Sequence, residues 1–134
     1  MDQVLTLAFV TSVLAAAIPA GTAILYACLG ELLSERAGVL NLGVEGMMLM
    51  GALGGAAGGL WSHDPWIGAL VAMMLGGALA GIHALLVVGL KANQVVSGLA
   101  LTLFGTGLSS FLGQPIVGAP IADAFHEAPI PGLA

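Results

Sequence analysis

Four long apolar runs, separated by short breaks of charged and turn residues, divide the chain. The first, Leu5 to Leu29, holds about 25 residues, enough for a helix to cross a hydrocarbon core of about 30 Å. It exceeds a signal-peptide core and has no basic residue ahead of it, so it reads as an anchor. Pro19 inside it predicts a kink, which neighbouring helices tolerate in a membrane. Glu31–Arg36 forms the first polar break. The second run lies within 37–60 and stops at Ser62-His63-Asp64-Pro65. The third runs from Trp66 to Leu90 and stops at Lys91-Ala92-Asn93-Gln94, and the fourth occupies about 95–112. Beyond it, Gly113, Pro115, Gly118, Pro120, Pro129 and Pro131 punctuate a tail (113–134) expected to be irregular, which also carries Asp123, His126 and Glu127. The pattern predicts an all-α fold, a polytopic transmembrane helical bundle of about four spans.

Composition supports a lipid environment. Of 134 residues, 59% are hydrophobic and 7% charged, and the mean hydropathy is +1.09. A soluble domain carries about 25% charged residues, so this chain could not clothe a water-exposed surface. Glycine, present 21 times, is also more frequent in membrane helices. The net charge of −5 excludes a basic nucleic-acid surface or a polybasic lipid patch. Arg36 and Lys91, the two basic residues, fall in alternate breaks, which the positive-inside rule assigns to the cytoplasm. The N-terminus, the Ser62–Pro65 loop and the tail then face outward. Trp61 and Trp66 flank that loop where aromatic belts sit. Cys28 stands alone, so no internal disulfide can form, and it reads as inert packing.

Chemistry is sparse. Gly51, Gly55 and Gly59 recur every four residues, Gly54 and Gly58 repeat the spacing one residue earlier, and Gly77 and Gly81 do so in the third run. Such strips let helix backbones approach closely and predict tight packing. Asn41 and Glu45 stand one helical turn apart, with Glu45 about 8 residues, or ~12 Å, inside the cytoplasmic edge. Two readings of Glu45 stand. If Asn41 caps a helix starting at Leu42, Glu45 is a first-turn acid favoured by the helix dipole. Otherwise it is a gating or polar-lining group, since an ionisable residue within a span needs a partner or a watery cavity. In the fourth run Gln94, Gly98, Thr102, Thr106 and Ser110 recur every four residues, with Asn93, Ser97 and Ser109 adjoining. That face suits an interhelical seam or the wall of a hydrophilic pathway. His83 reads as a satisfied interior residue. No His or Cys stands at metal-ligand spacing from it, so no metal site is expected. Lys91 is the only lysine, and no Gly-x-x-x-x-Gly-Lys phosphate loop or nucleophile–base pair occurs. No catalytic residue or cofactor is expected, and any ATP involved would be hydrolysed by another chain.

The block from Ser34 to Ala52, Ser-Glu-Arg-Ala-Gly-Val-Leu-Asn-Leu-Gly-Val-Glu-Gly-Met-Met-Leu-Met-Gly-Ala, closely resembles permeases of bacterial ABC importers for nucleosides and simple sugars, the branched-chain amino acid/ribose-type permease family. A second block, Ala92-Asn-Gln-Val-Val-Ser-Gly-Leu-Ala-Leu-Thr-Leu103, is similar to the same family at the corresponding place. The resemblance covers most of the chain but only the N-terminal part of such a permease, so 1–134 is expected to be a partial transmembrane domain. It implies a multi-pass subunit of the bacterial plasma (inner) membrane that pairs with a second permease subunit. Two cytoplasmic ATPase subunits would drive it, and an extracytoplasmic binding protein would deliver substrate. Arg36, Asn41, Glu45 and Gly46 match the first block; Gln94, Ser97 and Gly98 match the second. With Thr102 and Thr106 from the polar stripe, Asn41, Glu45, Gln94 and Ser97 are the pathway or gating candidates. Two other readings remain: a dimeric four-helix, ion-coupled transporter titrating at Glu45, and a non-transporting membrane scaffold.

Overall fold

In a computed structural model, residues 7–119 are described. Asp123, His126, Glu127 and the end of the expected tail lie outside the described residues. The described chain is all-α, with no strand, and divides into two compact units, Met1–Leu40 and Asn41–Ala134.

The first unit is built on α1, Leu7–Arg36, with Pro19 inside it. The break expected at Glu31–Arg36 is therefore helical, extending α1 beyond the expected end at Leu29. Four of those six residues are polar, but Glu, Leu and Arg are good helix formers. The chain stops instead at Gly38, whose φ of +84° takes the left-handed conformation that glycine adopts without strain. Val39 N–H donates to Ser34 O (2.9 Å) and Gly38 N–H to Glu35 O (2.9 Å), which together close a Schellman cap.

The second unit contains α2 (Val44–Ser62), α3 (Pro65–Ala84) and α4 (Gln94–Gly113). α2 starts seven residues later than the lower bound of the run that predicted it, and Asn41 does not cap a helix at Leu42. Its Oδ1 accepts from Gly43 N (3.0 Å) in an Asx turn, and Gly43 occupies the N-cap. Between α2 and α3, His63 takes the left-handed C-cap conformation (φ 55°) and Asp64 Oδ1 caps α3 by accepting from Trp66 N (2.8 Å). α3 gives way to a π-helical turn, Leu85–Gly89, so the third apolar run is helical nearly throughout but not α-helical at its end. Asn93 Oδ1 then caps α4 through Val96 N (3.1 Å). A 3-10 turn, Gln114–Ile116, follows α4 where an irregular tail was expected.

Among the described residues, three helices are long and apolar enough to cross a membrane: Phe9–Arg36, Pro65–Gly89 and Gln94–Ile116. α2 falls outside that group, because six of its 19 residues are glycines and contribute almost no hydropathy. It is the central helix of its unit instead. α3 runs antiparallel to it, with Gly68 against Gly58 and Gly76 against Met47 O, while α4 runs parallel, with Gly98 against Leu42 and Gly105 against Gly46. Met47, Met50, Leu79 and Leu101 form the core between the three, with Leu53 and Leu108 packed on it. Helices in lipid gain little from apolar burial and associate through close packing and hydrogen bonds. The glycines are what permit that closeness.

Candidate functional site

The polar residues of the second unit gather where the chain enters α2. A Cβ on Gly98 would stand 2.8 Å from Leu42 N, and one on Gly43 would meet Leu101 Cβ at 3.2 Å and Gly98 O at 3.3 Å. The start of α4 therefore presses directly on the segment Asn41–Gly43. Thr102 Oγ1 donates to Leu42 O (2.7 Å), a carbonyl that lies before the helix, and Ser109 Oγ donates to Leu49 O (3.2 Å) about two turns further on. Asn41 uses both ends of its amide: Oδ1 accepts from Gly43 N, and Nδ2 donates to Met47 Sδ (3.6 Å). Just beyond, a Cβ on Gly46 would lie 2.5 Å from Leu101 O, and one on Gly105 would lie 2.6 Å from Gly46 Cα. Backbone meets backbone there.

The polar stripe of α4 thus divides by position. Thr102 and Ser109 stitch α4 to α2. Ser97, buried, lies 3.2 Å through Oγ from His83 Nδ1, joining α4 to α3. Thr106 is exposed and donates back to Thr102 O in its own helix (2.8 Å), and Gln94 is half-buried at the helix start. Seam and open wall are both present on one helix.

Glu45 sits in the first turn of α2, where the helix dipole favours a carboxylate. Its side chain is exposed and makes no hydrogen bond or ion pair with the described residues. The position is the one the capping alternative gave it, but Asn41 does not supply the cap and the helix begins two residues later, at Val44. Lys91 is exposed in the α3–α4 connection, with a φ of 53°. Arg36 ends α1 in the other unit.

Among the expected packing glycines, the tightest crossings with α3 fall on Gly54 and Gly58. A Cβ on Gly54 would lie 2.7 Å from Leu75 Cδ1, and one on Gly58 would lie 3.1 Å from Gly68 Cα. Gly51 and Gly55 make ordinary contact with Ala72 (3.5 Å), and Gly59 approaches Gly68 through its backbone. Nothing lies within 4 Å of the Cβ position at Gly77 or Gly81, so these two take no part in the seams of this unit. They lie on an exposed face of α3.

Two features escaped the sequence. The crossing at Gly105 belongs to no glycine repeat on α4. The His83–Ser97 pair was legible only in hindsight: a short connection sets the last turn of α3 beside the first turn of α4, and one holds an imidazole while the other holds a hydroxyl.

An apolar cavity of about 310 Å³ lies at the far end of the unit, lined among others by Leu53, Ala57, Trp61, Val71, Leu75 and Leu112. None of its lining side chains carries a charge or a hydroxyl, so it offers little to a polyhydroxylated solute. No metal-binding group of three or more His, Cys, Asp or Glu occurs among the described residues.

The long apolar helices define a multi-pass membrane protein. The chain belongs to the family described as the branched-chain amino acid transport system / permease component, whose model matches residues 13–128. It is 54% identical over 108 residues to TsgC13 of Haloferax volcanii, provisionally named a glucose ABC transporter permease protein; the match covers 81% of this chain and 33% of that one. It is 35% identical over 115 residues to the guanosine ABC transporter permease protein NupQ of Bacillus subtilis, covering 78% of this chain and 36% of NupQ. To the nucleoside ABC transporter permease protein NupC of Lactococcus lactis it is 34% identical over 99 residues, 69% of this chain and 31% of NupC. The chain spans about a third of the length of these relatives. No solved structure matches significantly.

One prediction arises directly from the stitch between α4 and α2. Thr102→Val keeps the shape and removes the donor to Leu42 O, so the purified protein should lose about 1–2 kcal/mol of stability. Ser109→Ala should cost less, since Leu49 O lies within α2 and keeps its helical donor. A thermal-unfolding comparison of the two variants in detergent checks the order.

Proposed function

We propose that the chain is part of a permease subunit of an ATP-driven importer, forming part of the translocation pathway for simple sugars or nucleosides. The observation that carries this reading is the similarity to three permeases named for glucose, guanosine and nucleoside transport. Identity is highest to the one named for glucose, which favours a sugar as the first substrate to test. The subunit sits in the cytoplasmic membrane, with the N-terminus and the tail outside and the Arg36 and Lys91 connections inside. It pairs with a second permease subunit, takes its driving force from cytoplasmic ATPase subunits and receives substrate from an extracytoplasmic binding protein. It is not itself an enzyme.

In this reading Asn41, Glu45 and Gln94 belong to the gate at the cytoplasmic end, Ser97 and Thr102 hold that gate in place, and Thr106 faces the pathway. Support comes from the convergence of α4 on the non-helical segment before α2. A segment held by side-chain hydrogen bonds and an Asx turn can change conformation without breaking a helix. Disrupting the gene in its own host tests the substrate. Uptake of labelled glucose or of guanosine at micromolar concentration should fall to background, and restoring the gene should restore it. Unchanged uptake of both would remove these substrates from the proposal.

A further inference from the structure

His83 is the one buried histidine of the described chain, 3% exposed, and the transport reading gives it no task. It lies seven residues beyond Gly76, which faces Met47 O. That is about 10 Å along α3 and brings the imidazole level with Asn41–Gly43. Nδ1 is 3.2 Å from Ser97 Oγ, while Nε2, also buried, has no hydrogen-bond partner among the described residues. A leucine or methionine could fill the same space without burying a half-paired ring. Leaving a buried polar atom unpaired carries a free-energy cost. The nitrogen that is paired should therefore be the one that matters.

The bond closes a ring in the chain. Between its ends lie the π-helical turn Leu85–Gly89, Leu90 N–H donating to Leu85 O (2.9 Å), Ala92 N–H donating to Leu86 O (2.9 Å), Lys91 in the left-handed region and the Asn93 cap. The π-turn breaks the α-helical register between α3 and α4, so their alignment is not set by continuous helix geometry. The His83–Ser97 contact joins the two helices directly across that break. Ser97 immediately precedes Gly98, the residue that presses on Leu42, and lies five residues before Thr102, which holds Leu42 O.

We propose that His83 is a positioning residue: through Nδ1 and Ser97 it fixes α4 on α3 in the register that grips the segment Asn41–Gly43. The geometry carries the clasp by itself; its consequence for uptake rests on the importer reading above.

Two amides separate the nitrogens, because asparagine places its polar group near the position of Nδ1 and glutamine near that of Nε2. In a Cys28→Ser background with a reporter cysteine replacing Leu42, the intact protein in detergent is challenged with a maleimide. His83→Leu, His83→Gln and Ser97→Ala should each speed labelling about fivefold, and His83→Asn should leave it within about twofold of the parent. The double variant His83→Leu/Ser97→Ala should label no faster than either single one. If His83→Leu fails to accumulate, Ser97→Ala decides, since it removes only a hydroxyl. Rescue by glutamine instead of asparagine, strictly multiplicative single effects, or an unchanged rate in Ser97→Ala would overturn the proposal. Uptake by the same variants is read separately. Faster labelling with normal uptake keeps the clasp and rejects its role in the importer.

Discussion

Gly105→Leu should leave almost no folded protein in the membrane. A Cβ at that position would lie 2.6 Å from Gly46 Cα and from Gly46 O, so the atom in the way is backbone and cannot rotate aside. Overpacking a tight interior commonly costs about 1–3 kcal/mol when side chains can yield. Here α2 and α4 would have to separate, which would also strain the Thr102–Leu42 hydrogen bond and open the core around Met47 and Leu101. Even Gly105→Ala should lower the unfolding midpoint measurably. Gly81→Leu serves as the control, because no atom lies within 4 Å of its Cβ position. It should accumulate like the parent when membranes are immunoblotted for an epitope tag. Equal abundance of Gly105→Leu and Gly81→Leu would mean that the crossing of α2 and α4 is not as close as described.

The second large effect is on transport and leaves stability alone. Glu45 is exposed, forms no ion pair with the described residues and gains from the α2 dipole an interaction of about 0.3–1 kcal/mol. Glu45→Gln should therefore fold and accumulate normally. If the carboxylate serves the gate, uptake by the assembled transporter should fall at least tenfold, equivalent to about 1.4 kcal/mol. Uptake within twofold of the parent would leave Glu45 with only its first-turn role. A parallel fall in abundance and uptake would say the same.

How much of this was legible in the sequence differs from element to element. The runs around 66–90 and 95–112 gave α3 and α4 to within a residue or two at most ends, because lipid-length apolar stretches leave a helix little alternative. The end of α1 lies beyond the expected one because polarity does not end a helix: Glu31–Arg36 is charged but remains helical, and Gly38 is the real stop. The start of α2 was misplaced because Asn41 can cap a helix or close an Asx turn, and only its distance to Gly43 N decides between them. The four-residue polar repeat on α4 was visible, yet its division into a stitch at Thr102, a clasp at Ser97 and an open position at Thr106 was not. Periodicity gives a face, and the partners across that face depend on the register between helices. The glycine strips divide in the same way. Gly77 and Gly81 share the spacing of Gly54 and Gly58 but meet nothing in this unit.

The proposed transport is driven by ATP, with this chain as part of the pathway and another chain as the motor. The most direct measurement places the intact gene product, with the proposed ATPase and second permease subunits, in proteoliposomes with the proposed binding protein on the substrate side. Labelled glucose or guanosine should accumulate only when ATP is supplied to the ATPase side, and an ionophore that collapses ion gradients should leave the rate unchanged. Accumulation or efflux that ignores ATP, follows a proton gradient and is lost in Glu45→Gln would contradict the importer and favour ion-coupled transport through Glu45.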